Sequence, residues 1–161
     1  MPLIKNKFLF IGIIFFCVLA LLFAYFTEYV LEHLPCNLCL IERIPYAVTI
    51  FLAFLVLFFK KYEKIILFGI GSFFIIGTII SFYHFGIEQG FFNESLVCDL
   101  GDTDEAISTQ DLLKELNTKK ISCKDVTFRV FGFSLATFNT IISFVISVIT
   151  VRAGLNYDRN K

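Results

Sequence analysis

The chain has no surplus of either charge. Its 14 Lys and Arg residues balance 14 Asp and Glu, and charged residues make up only 17% of the sequence. That balance removes the basic footprint with which a nucleic-acid binder meets phosphate, so no nucleic-acid partner is expected. No internal repeat, low-complexity tract, or flavin, haem or nicotinamide motif is present. Tryptophan is absent altogether.

Apolar residues supply the remainder: they make up 57% of the chain, with 22 Phe and a mean hydropathy of +0.79. A soluble globule averages about 45–50% apolar, so the composition is that of an integral membrane protein. Four stretches are long and nearly free of charge: Phe8–Thr27, Pro45–Phe59, Ile65–Ile87 and Val130–Val151. A hydrocarbon core of ~30 Å needs about 20 helical residues, and open strands leave their backbone unsatisfied in lipid. The expected fold is therefore a single all-α membrane domain over 1–161. It is a four-transmembrane-helix bundle with helices near 8–27, 38–59, 65–87 and 130–151 and extracytoplasmic loops over 28–37 and 88–129. Lys5 and Lys7 before the first stretch raise the alternative of a cleaved signal peptide, but Tyr25-Phe26-Thr27-Glu28 offers no small-x-small site.

Charge placement orients the bundle. The N-terminus, the turn at 60–64 and the C-terminus carry Lys5, Lys7, Lys60, Lys61, Lys64, Arg152, Arg159 and Lys161 against only Glu63 and Asp158. The second loop carries nine acidic and five basic residues. The positive-inside rule then puts both termini in the cytoplasm and the two longer loops outside. Cys36, Cys39, Cys98 and Cys123 fall in or beside those loops, where disulfides persist. Cys17, in mid-helix, reads as a small buried hydrophobe.

Cys36-Asn37-Leu38-Cys39 is a Cys-x-x-Cys pair, a spacing suited to a low-pKa redox dithiol. Competing readings are a structural disulfide and a zinc site. A tetrathiolate, however, usually offers two Cys-x-x-Cys knuckles, and Cys98 and Cys123 are far apart, so no metal is expected. Haem attachment needs His after the second Cys, where Leu40 stands. From Pro45 to Phe59 is too short to cross the bilayer, at roughly 22 Å of helix, whereas a start near Asn37 gives roughly 34 Å. Cys39 then lies in the first turn, where free N–H groups favour a thiolate, Pro45 kinks the helix, and Arg43 sits just inside the boundary. Arg43 is either a site residue or an interface anchor paired with Glu42 or a neighbouring helix.

Between Cys98 and Cys123, Glu105–Asn117 reads as a short amphipathic helix within an otherwise polar loop. A bridge there is a staple or, being exposed, an exchangeable disulfide. Two pairs at one membrane face suggest a relay: electrons enter at the loop pair, pass by thiol–disulfide exchange to the membrane-edge pair, and leave to a carrier in lipid. A quinone needs only an apolar slot and a donor to its carbonyl oxygen. His84, ending the third helix, is a candidate for that donor or a polar cap, and His33 reads as solvated.

The whole chain resembles the disulfide bond formation protein B (DsbB) family of membrane thiol–quinone oxidoreductases. The features that carry the resemblance are four helices, Pro-Cys-x-x-Cys-x-x-Glu-Arg at 35–43, Tyr-His-x-Gly-Ile-Glu-x-Gly at 83–90, the cysteines 98 and 123, and Phe131-Gly-Phe-Ser-Leu-Ala-Thr-Phe-Asn139 at the last helix. The resemblance implies a bacterial inner-membrane protein-dithiol:quinone oxidoreductase that reoxidises a periplasmic DsbA-like thiol oxidase. The partner thiolate attacks a Cys98–Cys123 disulfide at Cys98, and Cys123 exchanges with Cys36. Cys39 faces a ubiquinone or menaquinone, with Arg43, His84 and Glu42 as quinone-site residues and with no metal or haem. The lack of Trp and a short second loop depart from the family pattern and bear on the partner's docking surface. In vitamin K epoxide reductase-like enzymes the membrane Cys-x-x-Cys follows the loop pair, the reverse of the order here. Two other classes are a four-helix membrane binding or assembly protein with two structural disulfides, and a bis-His haem carrier using His33 and His84.

Overall fold

A computed structural model describes residues 2–94, 98, 122–124, 129–130 and 132–157. The expected amphipathic helix at Glu105–Asn117 lies outside these residues. The described chain is mostly helical: α1 Pro2–Tyr29, α2 Asn37–Ile41, α3 Ile44–Phe58, α4 Glu63–Glu88 and α5 Leu135–Leu155. A single 3-10 turn, Lys60–Tyr62, joins α3 to α4. Four segments are long and apolar enough to cross a membrane: Lys7–Tyr29, Asn37–Phe58, Lys60–Glu88 and Leu135–Leu155. Large apolar side chains such as Phe15, Leu22, Phe51, Ile79 and Phe144 face outward, as lipid-facing surfaces require.

The second span is interrupted. Pro45 has no N–H to donate back to Ile41, so the ladder breaks between α2 and α3 and is bridged by Glu42 N–H to Leu38 O and Arg43 N–H to Leu40 O. The break turns Glu42 and Arg43 toward different neighbours. The last span starts later than the apolar run suggests, at Leu135 rather than 130. Arg129–Val130 and Phe133–Ser134 pair as a two-residue antiparallel ribbon around Gly132 (φ +85°), a backbone region that favours glycine. Ser134 then caps α5 by accepting from Thr137 N–H at 3.3 Å.

α4 packs most extensively on α5, α1 on α3, and α3 on α4. Small residues allow the closest approach: a Cβ at Gly71 would sit 2.7 Å from Val151 Cγ2. The core of the bundle holds Phe10, Cys17, Tyr46, Ala53, Leu67, Ile70 and Phe74, with Tyr46 and Phe74 edge-to-face at 5.3 Å. Cys17 is fully buried there, the small hydrophobe its position implied.

Candidate thiol redox site

The four expected redox cysteines come together at the bundle end opposite the Lys60–Lys61 turn. Cys36, Leu38, Ile87 and Cys123 form one buried cluster, against which Cys39, Cys98, Ile80 and Tyr83 pack. Cys98 and Cys123 are joined as a disulfide with Cα atoms 6.0 Å apart. This bridge is less exposed than a loop staple was expected to be. Cys123 is only 2% exposed, while Cys98 is half-buried and the more accessible residue of the two. Glu94 holds the Cys123 segment by accepting from Ser122 Oγ and from Lys124 N–H, and Asn37 Nδ2 donates to Cys98 O at 3.3 Å.

Cys36 and Cys39 occupy the start of α2, with their sulfurs 2.6 Å apart. Cys36 is the N-cap, and its Sγ accepts from Cys39 N–H at 3.3 Å. The free N–H of the first turn therefore serves Cys36, where the sequence reading assigned it to Cys39. Cys36, one residue before the membrane span, is held well below the ordinary thiol range. The hydrogen bond from Cys39 is the main cause, and it outweighs burial with help from His84.

Behind the pair lies a polar relay that joins three spans. His84 Nε2 is 3.5 Å from Cys36 Sγ, and His84 Nδ1 is 2.7 Å from Glu42 Oε1. A carboxylate only accepts, so Nδ1 carries the proton and Nε2 is left facing the sulfur. Asn139 Nδ2 donates to Glu42 Oε2 at 2.6 Å and to Ser81 Oγ at 2.7 Å, while its Oδ1 accepts from Tyr46 OH at 2.5 Å. Buried polar groups at membrane depth are costly unless paired, and here each strengthens the next. Arg43 pairs with a neighbouring helix, α1, which is the second of the two partners considered above, and not with Glu42. Its Nη1 donates to Glu28 Oε2 at 2.5 Å, and its guanidinium lies 5.1 Å from the Tyr25 ring.

Cys36, Cys39, Glu42, Arg43 and His84 all line one cavity of about 460 Å³, walled by Phe16, Leu19, Phe23, Phe138 and Ile142. Small-molecule sites combine such apolar walls with a few convergent polar groups in roughly 300–1,000 Å³. His33 also lines this cavity and is half-buried, where the sequence reading left it in solvent. His84 Nδ1 is committed to Glu42, and its Nε2 faces Cys36. Cys36, Cys39 and His84 do group as three metal-ligating side chains.

Sequence reasoning missed Glu28, Glu88 and Tyr46, and assigned Asn139 no role. Glu28 had one available signal, an acidic residue at the end of α1 at the depth inferred for Arg43. The sequence model of the disulfide bond formation protein DsbB family matches residues 6–153. An uncharacterized protein of Rickettsia prowazekii (strain Madrid E) is 27% identical over 141 residues, covering 86% of this chain and 82% of that protein. A helical bundle with four membrane-length spans, four clustered cysteines and a family match over nearly its whole length lead to one assignment: the chain belongs to the disulfide bond formation protein DsbB family, whose general role is protein disulfide formation.

Proposed function

We propose that this chain oxidises the dithiol of a soluble DsbA-like protein and passes the electron pair to a membrane quinone. The observation that carries the reading is the convergence of both cysteine pairs in one cluster, of which Cys36 and Cys39 also line the apolar cavity. The partner thiolate attacks Cys98 Sγ, forms a mixed disulfide and releases Cys123 as thiolate. Cys123 attacks Cys36 of a Cys36–Cys39 disulfide, and a second partner thiolate resolves the mixed disulfide as the loop pair closes again. The electron pair then resides on Cys36 and Cys39, and the partner leaves oxidised.

A bound quinone accepts two electrons and two protons. The apolar walls fit its ring, and this chain's residues do the remainder. Cys39 lines the cavity together with Cys36. Arg43, oriented by Glu28 and Tyr25, lines the cavity with a guanidinium that would stabilise negative charge on a bound quinone's carbonyl oxygen. His84, its Nδ1–H held by Glu42, presents Nε2 beside Cys36 as a proton acceptor. The charge pattern favours cytoplasmic termini and periplasmic cysteines, where exported proteins acquire disulfides.

The test is anaerobic mixing of purified protein with a reduced DsbA-like protein and a water-soluble quinone analogue. One quinone is expected to disappear per partner dithiol oxidised. Partner oxidation with no loss of quinone absorbance, or no oxidation at all, overturns the proposal.

A further inference from the structure

Three groups that ligate soft cations meet although no single stretch of sequence joins them. The sulfurs of Cys36 and Cys39 and a ring nitrogen of His84 all lie within 4.8 Å of one another. Glu42 accepts from His84 Nδ1 at 2.7 Å, which leaves the Nε2 lone pair toward Cys36 Sγ, 3.5 Å away. A carboxylate behind a His in this way fixes the ring and raises its basicity in zinc sites. Two thiolates, one imidazole and one open position make a tetrahedral set for a soft or borderline divalent cation, and disfavour Mg²⁺ and Ca²⁺. The neighbourhood also contains an unpaired acceptor. The Glu88 side chain is 6% exposed, its Oε1 is 3.8 Å from His84 Nε2, and its Oε2 is buried with no hydrogen-bond partner among the described residues. Such an oxygen carries an uncompensated desolvation cost that a nearby cation relieves.

We propose that the reduced Cys36–Cys39 pair and His84 form a binding site for a soft divalent cation of the Zn²⁺ or Cd²⁺ class, with Glu42 orienting His84 and Glu88 beside the open position. Binding forms S–metal bonds to Cys36, already a thiolate, and to Cys39, whose S–H proton is released, with no electron transferred. The disulfide form offers no thiolate, so cation binding and oxidation compete for the same sulfurs. The binding itself rests on geometry, while its consequence, inhibition of quinone reduction, rests on the thiol–quinone reading.

The test uses the full chain in detergent with Cys98→Ser and Cys123→Ser, so that loop thiols cannot ligate. After anaerobic reduction and removal of reductant, Cd²⁺ is titrated and read by ultraviolet thiolate-to-metal charge-transfer absorbance. Saturation at one cation per chain is expected, as is loss of the band when the pair is oxidised with diamide. His84→Ala is expected to bind about tenfold or more weakly. No saturable band, a band unchanged by oxidation, or undiminished affinity in His84→Ala overturns the site. Because His84→Ala strands Glu42 and can unfold the chain, zinc-edge X-ray absorption of the His84-containing protein reads the ligands independently. Two sulfurs with nitrogen or oxygen scatterers are expected, and an all-oxygen or four-sulfur shell contradicts the proposal. Dithiothreitol-driven quinone reduction is measured with chelator on the same preparation. Cation binding without turnover upholds this site and overturns the thiol–quinone reading, whereas turnover without cation binding does the reverse.

Discussion

The two cysteine pairs share one cluster but are held in different ways. Cys98 and Cys123 are tethered by contacts from outside their own segments, through Asn37 to the Cys98 carbonyl and through Glu94 to both sides of Cys123. Cys36 and Cys39 are set by a helix start, one as its cap and the other in its first turn, with His84 and the cavity behind them. On the proposed reading, the pair that meets another protein needs a reachable member, and Cys98, half-buried where Cys123 is buried, is the candidate. On the same reading, the pair that meets a lipid-dissolved acceptor needs a dry wall and fixed charges, and Cys39 and Arg43 line one cavity. The same chemical group is therefore held in two different surroundings, one for each proposed role.

The largest expected effect separates the pairs outright. Cys39→Ser should abolish quinone reduction, while Cys98 still forms a mixed disulfide with the partner that non-reducing electrophoresis detects. Next comes Arg43. Its removal in Arg43→Ala should cost about 2–4 kcal/mol in kcat/KM for quinone if the guanidinium stabilises developing charge. Arg43→Lys keeps the charge but loses the planar fork, and should raise KM less. Unchanged quinone kinetics in Arg43→Ala, at matched protein levels, would make Arg43 an anchor only.

Asn139 sharpens the comparison from the structural side, because it supports only the helix-borne pair. Asn139→Ala leaves Glu42, Ser81 and Tyr46 each short of a partner and should cost about 1–3 kcal/mol of stability, read as a lower thermal midpoint in detergent. The smallest effect concerns pH. Only a thiolate alkylates, and an ordinary thiol, with a pKa of about 8.5, loses reactivity as pH falls below that value. The lowered Cys36 value keeps its thiolate populated in that window, so Cys36 in the reduced protein should still react with iodoacetamide at about pH 6. Peptide mapping checks this, and a rate that falls as for an ordinary thiol would contradict it.

Much of this arrangement was legible in the chain. Apolar runs of membrane length announce four helices, and Pro45 announces the break in the second. The start of α5 was not legible, because Val130 and Phe133 read as a continuation of the apolar run, whereas Gly132 turns that segment into a ribbon. Cysteine spacing and charge placement lead to Cys36, Cys39, Cys98, Cys123 and Arg43. What they do not reveal is which acid each polar residue takes, since Glu42 and Arg43 are adjacent yet pair with His84 and Glu28 on different helices. Helix periodicity reports which face is apolar, but it does not say which two polar positions meet across a bundle interior.

The most direct test of the division between the pairs removes one of them. A Cys98→Ser/Cys123→Ser protein, mixed anaerobically with a quinone analogue, should still reduce it when a small dithiol such as dithiothreitol supplies electrons. It should fail when the reduced DsbA-like protein is the only donor. Retained turnover with the protein donor, or lost turnover with dithiothreitol, would contradict the assignment of the loop pair to the partner and the helix pair to the quinone.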